Sequence, residues 1–119
     1  MSVEFLHINL AYLEHMTEGD RALQQQTLLT LARELQTEIP KMRALLGTGS
    51  WRDLAEVSHR FKSSLAYVGN DRVTEVNSEI ERLAQERIGF ERLPGLLAEL
   101  EAAQPLVLAE LQAAAAIKP

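Results

Sequence analysis

The chain has 119 residues, 46% of them hydrophobic and 24% charged, with a formal net charge of -5 and no cysteine. That length suits a single domain, read as residues 1–119, with a core of its own; the lack of cysteine excludes a disulfide framework and thiolate metal sites, and the acidic balance argues against a nucleic-acid surface. No basic start leads into an apolar run, as a signal peptide would require, and no stretch approaches the roughly 20 apolar residues of a membrane span, so a cytoplasmic location is expected.

Residues 1–7 read as an extended or frayed lead-in. Asn9 is placed to cap a short helix over about 9–15, with Leu10 and Leu13 turned inward. Thr17-Glu18-Gly19-Asp20 reads as a stop followed by a new start, Thr17 and Asp20 having the spacing of a capping box. A long helix follows over about 18–46: Leu28, Leu31, Leu35, Met42 and Leu45 recur at helical steps, and Gly47 ends it. Pro40 lies inside that helix and removes one backbone hydrogen bond at a cost of about 3 kcal/mol, which predicts a kink near Leu35 to Ile39 or two abutting helices.

After the turn Gly47-Thr48-Gly49, Ser50 and Asp53 have capping-box spacing and open a helix over about 50–69. Its apolar positions are Leu54, Val57, Phe61, Leu65 and Val68, one face of a helix, and Gly69 suits a left-handed C-cap. Trp51 is expected to pack on a neighbouring loop or helix; a lone tryptophan without a basic aromatic stripe does not suggest base stacking. Asn70 or Asp71 caps the next helix, about 71–87, whose seam is Val73, Val76, Ile80 and Leu83. The tight turn makes it antiparallel to its predecessor. Residues 88–92 form a loop containing Gly89. Pro94 fits the first turn of a final helix over about 93–116, with a stripe of Leu93, Leu96, Leu97, Leu100, Val107, Leu108 and Leu111. Pro105 should bend this helix, and Ala113 to Ala116 should fray for want of a packing surface. The sum is an all-α fold, an antiparallel up-and-down four-helix bundle with a short N-terminal cap helix.

One histidine stands out against this pattern. His59 lies about 160° around its helix from Phe61, on the side shared by Arg52, Ala55, Lys62, Ser63 and Ala66, and should be exposed. Neutral imidazole is a nucleophile near neutral pH. Lys62, one turn on, can steady a phosphoryl group as a point charge, and the small Ser63 lets a partner surface approach.

The stretch His59-Arg60-Phe61-Lys62-Ser63-Ser64, followed by Gly69, resembles the motif of the histidine-containing phosphotransfer (HPt) domains of two-component phosphorelays: histidine, any residue, a hydrophobic residue, lysine, two small residues, and a glycine ten after the histidine. Ser63 stands where glycine is common. The resemblance covers nearly the whole chain, the leucine-rich opener and the Gly19-Asp20 pair matching a cap helix that leads into the bundle. It implies that His59 takes a phosphoryl group from the aspartyl phosphate of a receiver domain and passes it to another receiver. It also implies that the chain is not an enzyme, needs no cofactor of its own, and relies on Mg²⁺ held by the receiver. Glu81, 22 residues after His59, falls where related domains often place a Gln or Glu that bonds the imidazole; a carboxylate there holds Nδ1–H and leaves Nε2 as the nucleophile. Its bland alternative is a solvated face of Glu79, Glu81, Arg82 and Glu86. The expected partners are receiver domains of a hybrid histidine kinase or response regulator, docking around Arg52, Ala55, Arg60, Lys62, Ser63 and Ala66, with basic side chains offsetting the receiver's acidity. No nucleic acid or membrane partner is expected, and the protein should be a monomer.

Other chemistries find little support. His7 and His15 lack metal-ligand spacing, and the Glu56/His59 pair has no second copy on a facing helix, so no metal site is expected. Ser63 and Ser64 near His59 lack a Gly-rich elbow, and no phosphate-cradling glycine loop is present, so neither acyl transfer nor autophosphorylation from ATP is expected. The alternatives that remain are a phosphorylation-silent interaction module of the same fold and a purely structural bundle. A chain starting at Met1 with one domain suggests a free-standing protein, although an excised domain would read the same way.

Overall fold

The computed structural model describes residues 4–117. Every regular element among them is helical: α1 (Ala11–Met16), α2 (Arg21–Gly47), α3 (Trp51–Val68), α4 (Asp71–Glu86) and α5 (Leu93–Ala116), with a 3-10 turn at Phe90–Arg92 before α5. The four long helices pack in a ring, α2 on α3, α3 on α4, α4 on α5 and α5 back on α2, while α1 leans on α3. This is the expected antiparallel bundle with its cap helix. The molecule is 46 Å long and about 20 Å wide, an elongation set by α2 and α5, whose rise of about 1.5 Å per residue gives them most of that length.

The predicted stripes meet in one core. Leu28, Leu31, Leu35, Ile39 and Met42 of α2, Leu54, Val57, Phe61, Leu65 and Val68 of α3, Val73, Val76, Ile80 and Leu83 of α4, and Leu93, Leu97, Leu100, Val107 and Leu111 of α5 are all buried. Leu10, Leu45, Leu96 and Leu108 pack at its margin, half-buried. At about 25 cal/mol per Å² of apolar surface removed from water, such stripes are the main source of stability in a helical bundle.

Several local expectations need correction. The Thr17–Asp20 capping box does not form. Thr17 is buried and its hydroxyl donates to the Leu13 carbonyl at 2.7 Å, so it closes α1. Asp20 alone caps α2, accepting from the Leu23 N–H at 3.0 Å, and α2 starts at Arg21 rather than near Glu18. Ser50 is the N-cap of α3 by position, yet its hydroxyl pairs with Thr48 Oγ1 at 2.7 Å and makes no capping bond. Pro40 does not split α2, which runs unbroken from Arg21 to Gly47. Both Pro40 and Gln36, whose carbonyl loses its partner, are exposed, so water can serve the orphaned oxygen. Pro105 is likewise exposed inside a continuous α5.

The tail of α5 does not fray as expected, and of the two readings of the lead-in, extended or frayed, the described part is non-helical and tied down. Ala114 and Ala115 are buried, and Gln25 Nε2 donates to the Ala115 carbonyl at 2.7 Å, because the first turns of α2 reach far enough to cover the tail of α5. At the other end, the Leu6 and His7 N–H groups donate to the Glu110 carboxylate at 3.2 and 2.8 Å, and Asn70 Nδ2 donates to the His7 carbonyl at 2.9 Å. Residues from Glu4 onward thus form a strap across the end of the bundle; the part of the lead-in before Glu4 lies outside the described residues. Asn9 is not the N-cap of α1: Leu10 holds that position without a side-chain cap and the helix runs over Ala11–Met16, while Asn9 Oδ1 accepts from the Ala11 N–H at 3.0 Å from one residue further back. The remaining caps form as expected: Asn70 accepts from the Val73 N–H at 3.0 Å, and Gly69 takes a left-handed φ of 72°.

Candidate functional site

Amphipathic α3 turns Leu54, Val57, Phe61 and Leu65 into the core and leaves His59 on the outside, its side chain 68% exposed. The two-residue connection Gly69-Asn70 folds α4 back alongside α3, which brings Glu81 opposite His59. Glu81 Oε2 lies 2.7 Å from His59 Nδ1. A carboxylate only accepts, so the bond places the proton on Nδ1 and leaves the Nε2 lone pair of a neutral ring facing solvent.

The same carboxylate serves a second cation. Lys62 Nζ lies 3.5 Å from Glu81 Oε1, and Lys62 is 51% exposed while the Glu81 side chain is only 13% exposed. The bland reading of α4's acidic face as uniformly solvated therefore fails for Glu81 and holds for its neighbours. Arg82 pairs with Glu79 and with Glu86, the latter at 3.0 Å, and Arg92 reaches Glu79 at 3.2 Å. The hydrogen bond from Arg82 holds the Glu79 carboxyl below the usual carboxylate range, against a desolvation effect of opposite sign and with help from the Arg82 and Arg92 charges. These groups satisfy one another, and Glu81 is left to His59 and Lys62.

Beside the imidazole opens a cleft of about 480 Å³ between the first half of α3 and the last turns of α4, lined by Arg52, Ala55, Arg60, Glu81, Gln85 and Arg87 among others. Its walls carry three guanidinium groups against the carboxylates of Glu56 and Glu81, a slight positive balance in a protein of net negative charge. Arg52 also pairs loosely with Glu56 at 3.9 Å. Ser63 and Ala66 are exposed on the same face of α3, further toward Gly69. Ser64, by contrast, turns toward α2, where its hydroxyl donates to the Glu34 carboxylate.

The sequence-selected residues thus come together on one face: His59 and Lys62 each on one oxygen of the Glu81 carboxylate, Arg52, Ala55 and Arg60 along the cleft, Ser63 and Ala66 on the other side. Gln85 and Arg87 were missed. Gln85 follows Glu81 by one helical turn, a spacing that points to it. Arg87 carried no signal: it is the C-cap of α4 with a left-handed φ of 57°, a conformation uncommon outside glycine and asparagine. The histidines His7 and His15 lie elsewhere, His7 half-buried in the N-terminal strap with Nε2 4.0 Å from Glu110 Oε2. Among the described residues no group of three or more His, Cys, Asp or Glu side chains is arranged to hold a metal ion.

The family model of the Hpt domain matches residues 26–116, a span containing all of these site residues. The chain belongs to the Hpt domain family. Membership implies a histidine phosphotransfer role in a phosphorelay, exercised on receiver domains, and the work of a shuttle rather than a kinase. No curated protein and no solved structure shows a significant match. In this Hpt domain the matched span begins inside α2, so α1 and the strap fall outside it. No helix among the described residues is long and apolar enough to cross a membrane.

Proposed function

We propose that this Hpt domain carries the phosphoryl group on His59, receiving it from an aspartyl phosphate on one receiver domain and giving it to the aspartate of another. The observation that carries this reading is the pairing of an exposed His59 ring with Glu81 through Nδ1 at 2.7 Å, which leaves Nε2 as the free nucleophile. The Nε2 lone pair forms a bond to phosphorus while the bond from phosphorus to the aspartyl oxygen breaks, and the carboxylate leaves with that electron pair. The positive charge that develops on the ring lies against Glu81, which also keeps the imidazole oriented. Lys62 is then within reach of the equatorial phosphoryl oxygens as an electrostatic partner.

Mg²⁺ belongs on the receiver, and this chain supplies the nucleophile and the docking face. Arg52, Arg60 and Arg87 along the cleft suit the acidic rim of a receiver's phosphorylation pocket, and Ala55, Ser63 and Ala66 allow close approach. A mixed surface of small and charged groups fits a transient contact of modest area, made by a monomer.

The test is incubation with a phosphorylated receiver and Mg²⁺ beside a His59→Gln variant. Acid-labile, alkali-stable phosphate on the wild type and none on the variant is the expected result. No label on either protein across a broad panel of receivers would favour the silent binding module, and label on both would move the acceptor to another residue.

A further inference from the structure

Directly beneath the His59–Glu81 pair lies a second link between the same two helices. Ser58 and Asn77 are 0% and 1% exposed, the most deeply buried polar side chains among the described residues. Ser58 Oγ lies 2.8 Å from both the carbonyl and the side-chain oxygen of Asn77, and Asn77 Nδ2 donates to the Ser58 carbonyl at 2.9 Å. The single hydroxyl proton is shared between two acceptors, and the amide returns a donor, so the pair is closed on itself. Thr17, the other buried polar residue, bonds within its own helix. Ser58 and Asn77 therefore form a reciprocal polar bridge through an otherwise apolar α3–α4 seam.

Such a bridge is a poor source of stability, since a well-packed apolar pair of similar volume does as well. What it adds is direction. Contacts among Leu54, Val57, Phe61, Val76, Ile80 and Leu83 tolerate small rolls and slides, because apolar attraction is non-directional; hydrogen bonds do not. The Gly69-Asn70 connection ties the helices at one end only, and Ser58 lies eleven residues away, about 16 Å along α3. Ser58 is the immediate neighbour of His59, and Asn77 precedes Glu81 by one helical turn. A roll or slide of α4 that carried Glu81 away from the imidazole would first have to break the bonds of Asn77 and strand an amide in the core.

We propose that the Ser58–Asn77 bridge is a positioning device for the phosphotransfer histidine: it sets the roll and height of α4 against α3 and so keeps the Glu81 carboxylate on Nδ1 of His59. Ser58 and Asn77 touch no substrate and act through Glu81. The inference rests on the reading of His59 as the acceptor only for its effect on transfer; the effect on the ring itself is independent of that reading.

The experiment compares wild type, Ser58→Ala/Asn77→Leu, Ser58→Ala and Glu81→Ala. The paired substitution keeps the branched side-chain skeleton at position 77, though with greater bulk, and leaves no buried orphan. The readout is the fraction of neutral His59 carrying its proton on Nδ1, from long-range ¹H–¹⁵N correlations at alkaline pH, together with the rate of phosphotransfer from a receiver. The paired variant should keep its helical circular dichroism and cooperative melting while its Nδ1–H fraction falls to near that of Glu81→Ala, with transfer slowed about 10-fold. Ser58→Ala, which adds no bulk to the core and removes the hydroxyl half of the bridge, leaves Asn77 Oδ1 without its Ser58 partner and should shift the tautomer part-way. An unchanged tautomer in a folded paired variant, or in Ser58→Ala if the paired variant does not fold, overturns the proposal. Absence of phosphotransfer in the wild type would defeat the His59 reading and leave the tautomer arm to decide this one.

Discussion

The backbone carbonyl of Asn9 occupies the space that a Cβ on Gly69 would need. Gly69 ends α3 at φ 72°, and the Asn9 N–H donates to the neighbouring Val68 carbonyl at 2.9 Å. The glycine that matches the end of the HPt motif is thus where the N-terminal strap crosses the α3–α4 turn. Gly69→Ala incurs the left-handed penalty of about 1 to 2 kcal/mol and must also displace the strap. A loss of about 2 to 4 kcal/mol in urea unfolding is expected; a loss below about 0.5 kcal/mol would show that the strap yields freely.

Glu81 holds Nδ1 of His59 and also faces Lys62. Glu81→Gln keeps an amide oxygen able to accept from Nδ1–H but removes the charge, whereas Glu81→Ala removes both. Transfer to and from a receiver should slow about 10- to 100-fold in Glu81→Ala and less in Glu81→Gln, the scale usual for groups that orient a functional imidazole. Equal rates for all three proteins in single-turnover assays would remove Glu81 from the mechanism.

Lys62 is half exposed and packs on little, so Lys62→Ala should change stability by no more than about 0.5 kcal/mol. Its effect should appear in function: transfer slower by about 10-fold, with greater loss at high salt in the wild type than in the variant, because the wild type has a screenable charge to lose. Stopped-flow transfer across an ionic-strength series reads both.

Arg43 and Glu101 join α2 to α5, with Nε to Oε2 at 3.0 Å and Nη2 to Oε1 at 2.5 Å. The hydrogen bond from Arg43, with its charge, outweighs desolvation and holds the Glu101 carboxyl below its ordinary range. A carboxyl lowered by folding stabilises the protein above its unfolded-state pKa, and that contribution is lost as pH falls through the lower, folded-state value. Glu101→Gln should therefore cost stability at neutral pH and nothing once the wild-type carboxyl is protonated. Both side chains are more than a third exposed, so solvent screening limits the neutral-pH loss to under about 1 kcal/mol. Urea midpoints for both proteins from pH 7 down to about 2 should converge at the acid end; a gap that persists there would assign the effect to packing.

Much of this molecule was legible in one dimension, because helix periodicity is a local property. The leucine and valine stripes, the Asn70 cap, the Gly69 stop and the exposure of His59 follow from spacing around 3.6 residues per turn, and all survive folding. The sequence pointed to Glu81 through the HPt resemblance, which places a Gln or Glu 22 residues after the histidine; the tight turn by itself said only that α4 runs back past His59. What the tertiary structure alone decided are choices among competing partners. Thr17 bonds its own helix instead of capping the next, and Ser50 pairs with Thr48 instead of Asp53. The α5 tail is held because α2 is long enough to cover it. Glu81 faces His59 and Lys62 because Arg82 and Arg92 are engaged with Glu79 and Glu86. Ser58 and Asn77 read as ordinary polar positions until the two helices are brought face to face. Each outcome depends on groups distant in sequence that compete for the same donor, acceptor or surface, and a helical pattern carries no record of which competitor lies nearest in space.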